Sequence, residues 1–119
     1  MSYFAKKIEG IPYARNREPM TSTWKNAVIA QTSDLPSVVE ACALRVTFLL
    51  PPNKFPPDCP FGPDLDNLLK PFLDALNETI FRNARGMDSC IISLEVMKTR
   101  VASDLEAGAR IELLPVSVL

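Results

Sequence analysis

The sequence predicts a small α/β (α+β) domain: a mixed β-sheet packed by two helices, in the order strand, helix, strand, helix, strand, strand, with residues 1–119 forming one domain. Three observations carry this. Two apolar runs alternate with the period of a strand, Leu44–Leu50 and Ile92–Met97. One apolar stripe after Asp64 repeats with the period of a helix. The chain has 119 residues, 47% hydrophobic and 23% charged, which is ordinary globular usage. At that size roughly 65% of the unfolded surface can be buried without staples.

Taken in order, Phe4–Ile8 reads as a short strand, followed by an irregular arm through Gly10-Ile11-Pro12 to Arg15 and Arg17. Ser22 or Thr23 is expected to cap a helix running to about Gln31, with Trp24, Ala27, Val28 and Gln31 on one face. Asp34-Leu35-Pro36 breaks it. Leu44, Val46, Phe48 and Leu50 alternate with Arg45 and Thr47, and Pro51-Pro52 ends that strand. From Pro51 to Pro63 lie six of the eleven prolines, a stiff loop poor in hydrogen-bonding capacity. In the helix that follows, Leu65, Leu69, Phe72, Leu76 and Ile80 form the apolar stripe, opposed by Asp66, Lys70, Asp74 and Asn77. Pro71 falls near the first turn, where it costs about one intrahelical bond and a slight bend. Phe81–Met87 is a turn region with Gly86. Ile92, Leu94 and Val96 then alternate with Ser93, Glu95 and Met97, and Arg110–Leu114 closes the sheet with Ile111 and Leu113 inward.

Composition excludes several classes of chemistry. With no histidine, any mechanism needing a His base, nucleophile or ligand is absent. Cys42, Cys59 and Cys90 are an odd count, far apart, with no C-x-x-C pair, so they describe neither a disulfide framework nor a zinc site. Without a histidine to activate a thiol, a cysteine nucleophile is the weakest reading. The start carries Lys6, Lys7 and Glu9 in place of an apolar signal core, and Ala43–Leu50 is too short to span a bilayer, so no membrane association is expected and the expected location is cytoplasmic. Net charge is −1, but its distribution is uneven. Residues 1–25 hold five Lys/Arg against two Glu, and the remainder holds eight against twelve Asp/Glu. A basic arm can meet phosphate, while an acidic remainder needs cations.

The informative segment is Gly62-Pro63-Asp64-Leu65-Asp66-Asn67-Leu68-Leu69-Lys70. Two carboxylates at i and i+2 stand where a Pro-rich loop meets a helix, and Lys70 lies one turn beyond Asp66. Asp88 immediately precedes the third strand, and pairing of that strand with the second is expected to bring it near Asp64 and Asp66. Carboxylates about 4 Å apart repel by about 4 kcal/mol at an effective dielectric of 20, so a cluster of three calls for protonation or a cation. Oxygen donors without His or Cys suit Mg²⁺ or Mn²⁺, which would hold a phosphodiester and activate water. The residues also admit a purely structural reading. Asp66 can be an N-cap, Asp64 a turn residue, Lys70 and Asp74 a surface pair, and the arm simply solvated.

The run Asp64-Leu65-Asp66-Asn67-Leu68-Leu69-Lys70-Pro71, followed by Asp74-Ala75-Leu76-Asn77, resembles the signature D-x-D-N-x-x-K-x-x-x-D-A-L of the RusA family of Holliday junction resolvases, which also carries an Asp just before a strand. The resemblance runs from about Leu44 to Val116. It implies a Mg²⁺-dependent endodeoxyribonuclease for four-way junctions or other branched DNA, working in DNA recombination and repair in a phage or prophage setting. It further implies a homodimer, with Asp64, Asp66 and Asp88 as metal ligands and Lys70 as a further catalytic residue. Arg15 and Arg17, with Lys6 and Lys7 in support, are the expected phosphate contacts, together with Lys70. The sequence departs from the pattern at Met87 and Cys90, where an acid and a Gln are usual, in a longer turn from Phe81 to Gly86, and at Pro63, where a basic residue is common. The rival expectation is a catalytically inactive DNA-binding or interaction protein that keeps the fold.

Overall fold

Strand alternation over Cys42–Leu50 (β2) puts Cys42, Leu44, Val46, Phe48 and Leu50 on one face, and all five are at most 2% exposed. Burial of side chains of this size contributes about 1.5–3 kcal/mol each. A computed structural model describes residues 3–55 and 60–117. Around β2 it places β1 (Phe4–Glu9), α1 (Met20–Thr32), α2 (Leu65–Leu76), β3 (Ile91–Arg100) and β4 (Gly108–Pro115), with short 3-10 turns at Pro52–Lys54, Met87–Cys90 and Asp104–Glu106. The four strands form one sheet in the order β1-β4-β2-β3. β4 runs antiparallel to both β1 and β2, while β2 and β3 are parallel. The expected mixed sheet with two helices is therefore what forms.

Both helices cover the same sheet face. Trp24 of α1 stacks on Phe72 of α2 with centroids 6.3 Å apart, and Phe72 meets Phe48 of β2 edge-on at 5.5 Å. α2 ends at Leu76, earlier than the apolar stripe suggests, yet Ile80 stays buried in the following turns and its carbonyl accepts from the Val38 amide. The buried face of α2 is Leu68, Pro71, Phe72, Ala75 and Leu76, whereas Leu65 and Leu69 are only half-buried. On the helix-free face Arg45 and Lys7 are paired with acids. Arg45 bonds Glu95 at 2.8 Å and Glu112 at 2.9 Å, and Lys7 meets Glu9 at 3.4 Å.

α1 begins at Met20, two residues before the expected cap. The Glu18 carboxylate takes that role, accepting from the Ser22 amide (2.9 Å) and hydroxyl (2.8 Å), and those bonds lower its pKa. At Gly108, with φ of +153°, a Cβ would collide with the Ile8 carbonyl across the β1–β4 pair, so only glycine fits. Pro56, Pro57 and Cys59 of the Pro-rich loop lie outside the described residues. Among the described residues no helix is long and apolar enough to cross a membrane.

Candidate functional site

The Pro-rich loop delivers Asp64 to the N-cap position of α2 in an extended conformation (φ −65°, ψ 145°), and Asp66 is the second helical residue. Asp64 occupies the cap position without making a side-chain cap bond. Both carboxylates are exposed, and among the described residues neither has a hydrogen-bond or ion-pair partner. Lys98, on the helix-facing side of β3, donates to the Pro63 carbonyl at 2.7 Å and fixes the backbone just before Asp64. Its position was readable in the sequence: it shares parity with Ile92, Leu94 and Val96, and a lysine on a core-facing parity needs a polar target.

The arm is docked, not merely solvated. Pro71 has no N–H, so the carbonyl of Asn67, four residues earlier, lacks its helical donor. The Arg15 amide fills the gap at 2.9 Å. Asn16 adopts the left-handed region (φ 66°), which Asn tolerates better than most residues. Buried Thr21 closes the turn, accepting from the Arg17 amide at 3.0 Å and donating to the Ala14 carbonyl at 2.7 Å. The backbone of Arg15 and Arg17 is thereby held against the first turn of α2, the turn that carries Asp66. Neither guanidinium has an ion-pair partner among the described residues. Lys6 and Lys7, the expected supporting contacts, are engaged elsewhere: Lys6 donates to the Gln31 carbonyl at 2.6 Å and Lys7 pairs with Glu9. Lys70 is exposed and pairs with Asp74 at 3.0 Å, so the surface-pair reading of these two residues describes this structure.

Asp88 does not join Asp64 and Asp66. Half-buried at the turn before β3, it accepts a hydrogen bond from Asn77 Nδ2 at 3.1 Å, and Asn77 is the C-cap of α2. At about 1.5 Å per residue the helix carries Asn77 about 20 Å from Asp64, beyond the roughly 5 Å that one cation spans between carboxylate oxygens. Convergence of the three aspartates within one chain is thus corrected. The expected pairing of the second and third strands does occur, but it is parallel. In a parallel strand–helix–strand unit the helix runs back against both strands, so its start and the approach to the next strand lie at opposite ends. Among the described residues no three Asp, Glu, Cys or His side chains group together.

At this second end Cys42 and Cys90, distant in sequence, bring their sulfurs to 4.0 Å as free thiols. Burial first, and the neighbouring Cys90 second, push the Cys42 thiol up to about 12. The contact joins the start of β2 to the start of β3 and so helps set where Asp88 stands.

Asp64 and Asp66 nevertheless fit a hard divalent cation. They offer exposed, unengaged oxygen donors, and Mg²⁺ commonly takes one or two carboxylates, several waters and a substrate phosphate. Sequence reasoning missed the roles of Lys98 and Asn77 and the contact of Lys54 with Tyr13. The Lys54 Nζ lies 3.1 Å from the centroid of the Tyr13 ring, a contact between residues forty-one apart that no local pattern announces. Compared with known proteins, the chain matches no family model and no curated protein.

Proposed function

We propose that this protein is a Mg²⁺- or Mn²⁺-dependent, structure-selective endodeoxyribonuclease that acts as a homodimer on four-way junctions or other branched DNA. The observation that carries the reading is one juxtaposition: a docked basic arm with unpaired arginines lies against the helical turn that presents two unengaged carboxylates. The signature-like run from Asp64 to Asn77 adds the resemblance. A bound cation would supply Lewis acidity toward the phosphodiester and lower the pKa of an attacking water. Asp64 and Asp66 would hold it. Arg15 and Arg17 would bind backbone phosphates beside the cut and fix the strand's position. Lys70 would exchange Asp74 for the scissile phosphate, since an exposed ion pair is worth only about 0–1 kcal/mol. A two-fold dimer would present two equivalent sites to a junction that must be cut on two opposed strands.

A second reading, a non-catalytic DNA-binding protein with the same fold, is favoured by one observation: Asp88 stands far from the other two acids. The test is cleavage of a synthetic four-way junction with and without Mg²⁺, alongside gel-shift binding, for the wild type and Asp66→Asn. Metal-dependent cutting by the wild type, lost in the variant while binding persists, is the expected result. Binding without cutting, with or without Mg²⁺, would favour the second reading. Absence of both would sink the two together.

A further inference from the structure

The 3-10 turn Pro52–Lys54 follows β2, and the Phe55 amide closes it on the Pro52 carbonyl at 3.1 Å. That turn lays the half-buried Lys54 ammonium on the face of Tyr13, which belongs to the same docked arm as Arg17. A cation over an aromatic face is stabilised, but only partly compensated for lost water. Among the described residues no carboxylate pairs with Lys54 or with Arg17. Desolvation, then the Arg17 charge, lower the Lys54 pKa to about 8. The fold therefore lays Lys54 on an aromatic ring of the arm that also carries Arg17, whose charge it feels, with no counter-charge among the described residues. What sets Lys54 apart from the other cations is that it is half-buried against an aromatic ring.

We propose that Lys54, on the face of Tyr13, and Arg17, on the same arm, form a binding site for the oxygens of a phosphate group. An arginine fork and a point-charge lysine together match that ligand, and an anion between them removes the repulsion the empty arrangement carries. That the phosphate belongs to a nucleic-acid backbone rests on the function proposed above; the site itself does not. Its position on the arm, which is pinned to the turn carrying Asp66, makes it the grip on a strand that passes Asp64 and Asp66.

Binding should draw a proton onto Lys54. The groups bearing on its ammonium are the Arg17 charge and the Tyr13 ring, with no acid among the described residues to take up that proton instead. The experiment is calorimetry at pH 8 with chelator present, in two buffers of different ionisation enthalpy. A short single-stranded oligonucleotide and inorganic phosphate serve as separate probes, with wild type, Lys54→Arg and Lys54→Met. The oligonucleotide should bind the wild type with uptake of a fraction of a proton. Lys54→Arg should bind with that uptake lost, because a guanidinium does not titrate there. Lys54→Met should weaken binding and lower the log–log salt slope by about 0.7. Binding and uptake with inorganic phosphate but not with the oligonucleotide would uphold the site and sink the nuclease reading. Equal affinity and equal proton uptake in all three proteins would overturn the site, and cleavage of junctions by those same proteins would leave the nuclease reading standing.

Discussion

At the N-terminal end of α2, Asp64 and Asp66 stand exposed and without polar partners among the described residues, whereas at its C-terminal end Asp88 is half-buried and holds Asn77 at 3.1 Å. One helix thus separates two kinds of aspartate. A partnered carboxylate between a helix C-cap and a strand start contributes to folding through a charge-assisted bond. An exposed, unengaged pair contributes little to folding and is free to take a ligand. The cations divide in the same way. On the helix-free sheet face Arg45 and Lys7 are neutralised by Glu95, Glu112 and Glu9, with Arg110 left over, while among the described residues Arg15, Arg17 and Lys54 have no ion-pair partner near the start of α2.

The sharpest way to break that comparison is to truncate an aspartate at each end. Asp66→Ala should reduce junction cleavage at least about 100-fold, since a metal site is worth several kcal/mol of transition-state stabilisation, and should leave the urea midpoint nearly unchanged. Asp88→Ala should do the reverse, costing about 1–3 kcal/mol of stability through the stranded Asn77 amide while cleavage at saturating substrate changes little. A cleavage loss at Asp88 as large as that at Asp66 would mean that Asp88 reaches a site across a dimer, and the division by helix ends would fail.

A smaller effect is expected from the arm. Arg15→Ala combined with Arg17→Ala should weaken junction binding and flatten its salt dependence by about one to two units of log–log slope. An unchanged slope would mean that the unpaired arginines do not face the DNA. Smaller again is the effect of Pro71→Ala, which gives Asn67 a helical donor and releases the Arg15 amide. Hydrogen exchange at Arg15 should accelerate, with helix amides at Phe72 and beyond unaffected; unchanged protection at Arg15 would show that Thr21 alone holds the arm.

A further effect is expected in the pH dependence of stability. Lys54 has its pKa lowered from 10.5 to about 8, so between those values the unfolded chain holds more protons than the folded one. Stability should therefore rise with pH across that window, and below about pH 8 the penalty of the charged lysine is present in full. Lys54→Met should flatten the rise when urea midpoints at pH 8 and pH 10 are compared. A rise of the same size in the variant would assign it to another group.

Periodicity made most of the fold legible. The alternation of Leu44 to Leu50 and the inward Ile111 and Leu113 are in the sequence as they are in the sheet, because a strand with one buried face must alternate. The start of α2 was readable to within two residues, since Asp64 and not Asp66 occupies the cap, and the Lys70–Asp74 pair was readable because spacing of four on a helix is a local property. The cap of α1 was less so: Ser22 and Thr23 look like caps, but the Glu18 carboxylate arrives first, and helix starts depend on which nearby oxygen reaches the free amides.

What the sequence by itself determined is local: element types, the exposed D-x-D at the start of α2, and the absence of any histidine chemistry. The docking of the arm lay half-hidden, because Pro71 announces an orphan carbonyl at Asn67 without saying which amide will fill it. Only the tertiary structure decided that Arg15 does so, that Tyr13 receives Lys54, and that Cys42 meets Cys90. It also decided the direction of β3. An Asp before a strand lies near the start of the preceding helix or about 20 Å from it according to whether that strand runs antiparallel or parallel to β2. Side-chain alternation is identical in the two cases, so no pattern of apolar residues in Ile91–Arg100 distinguishes them.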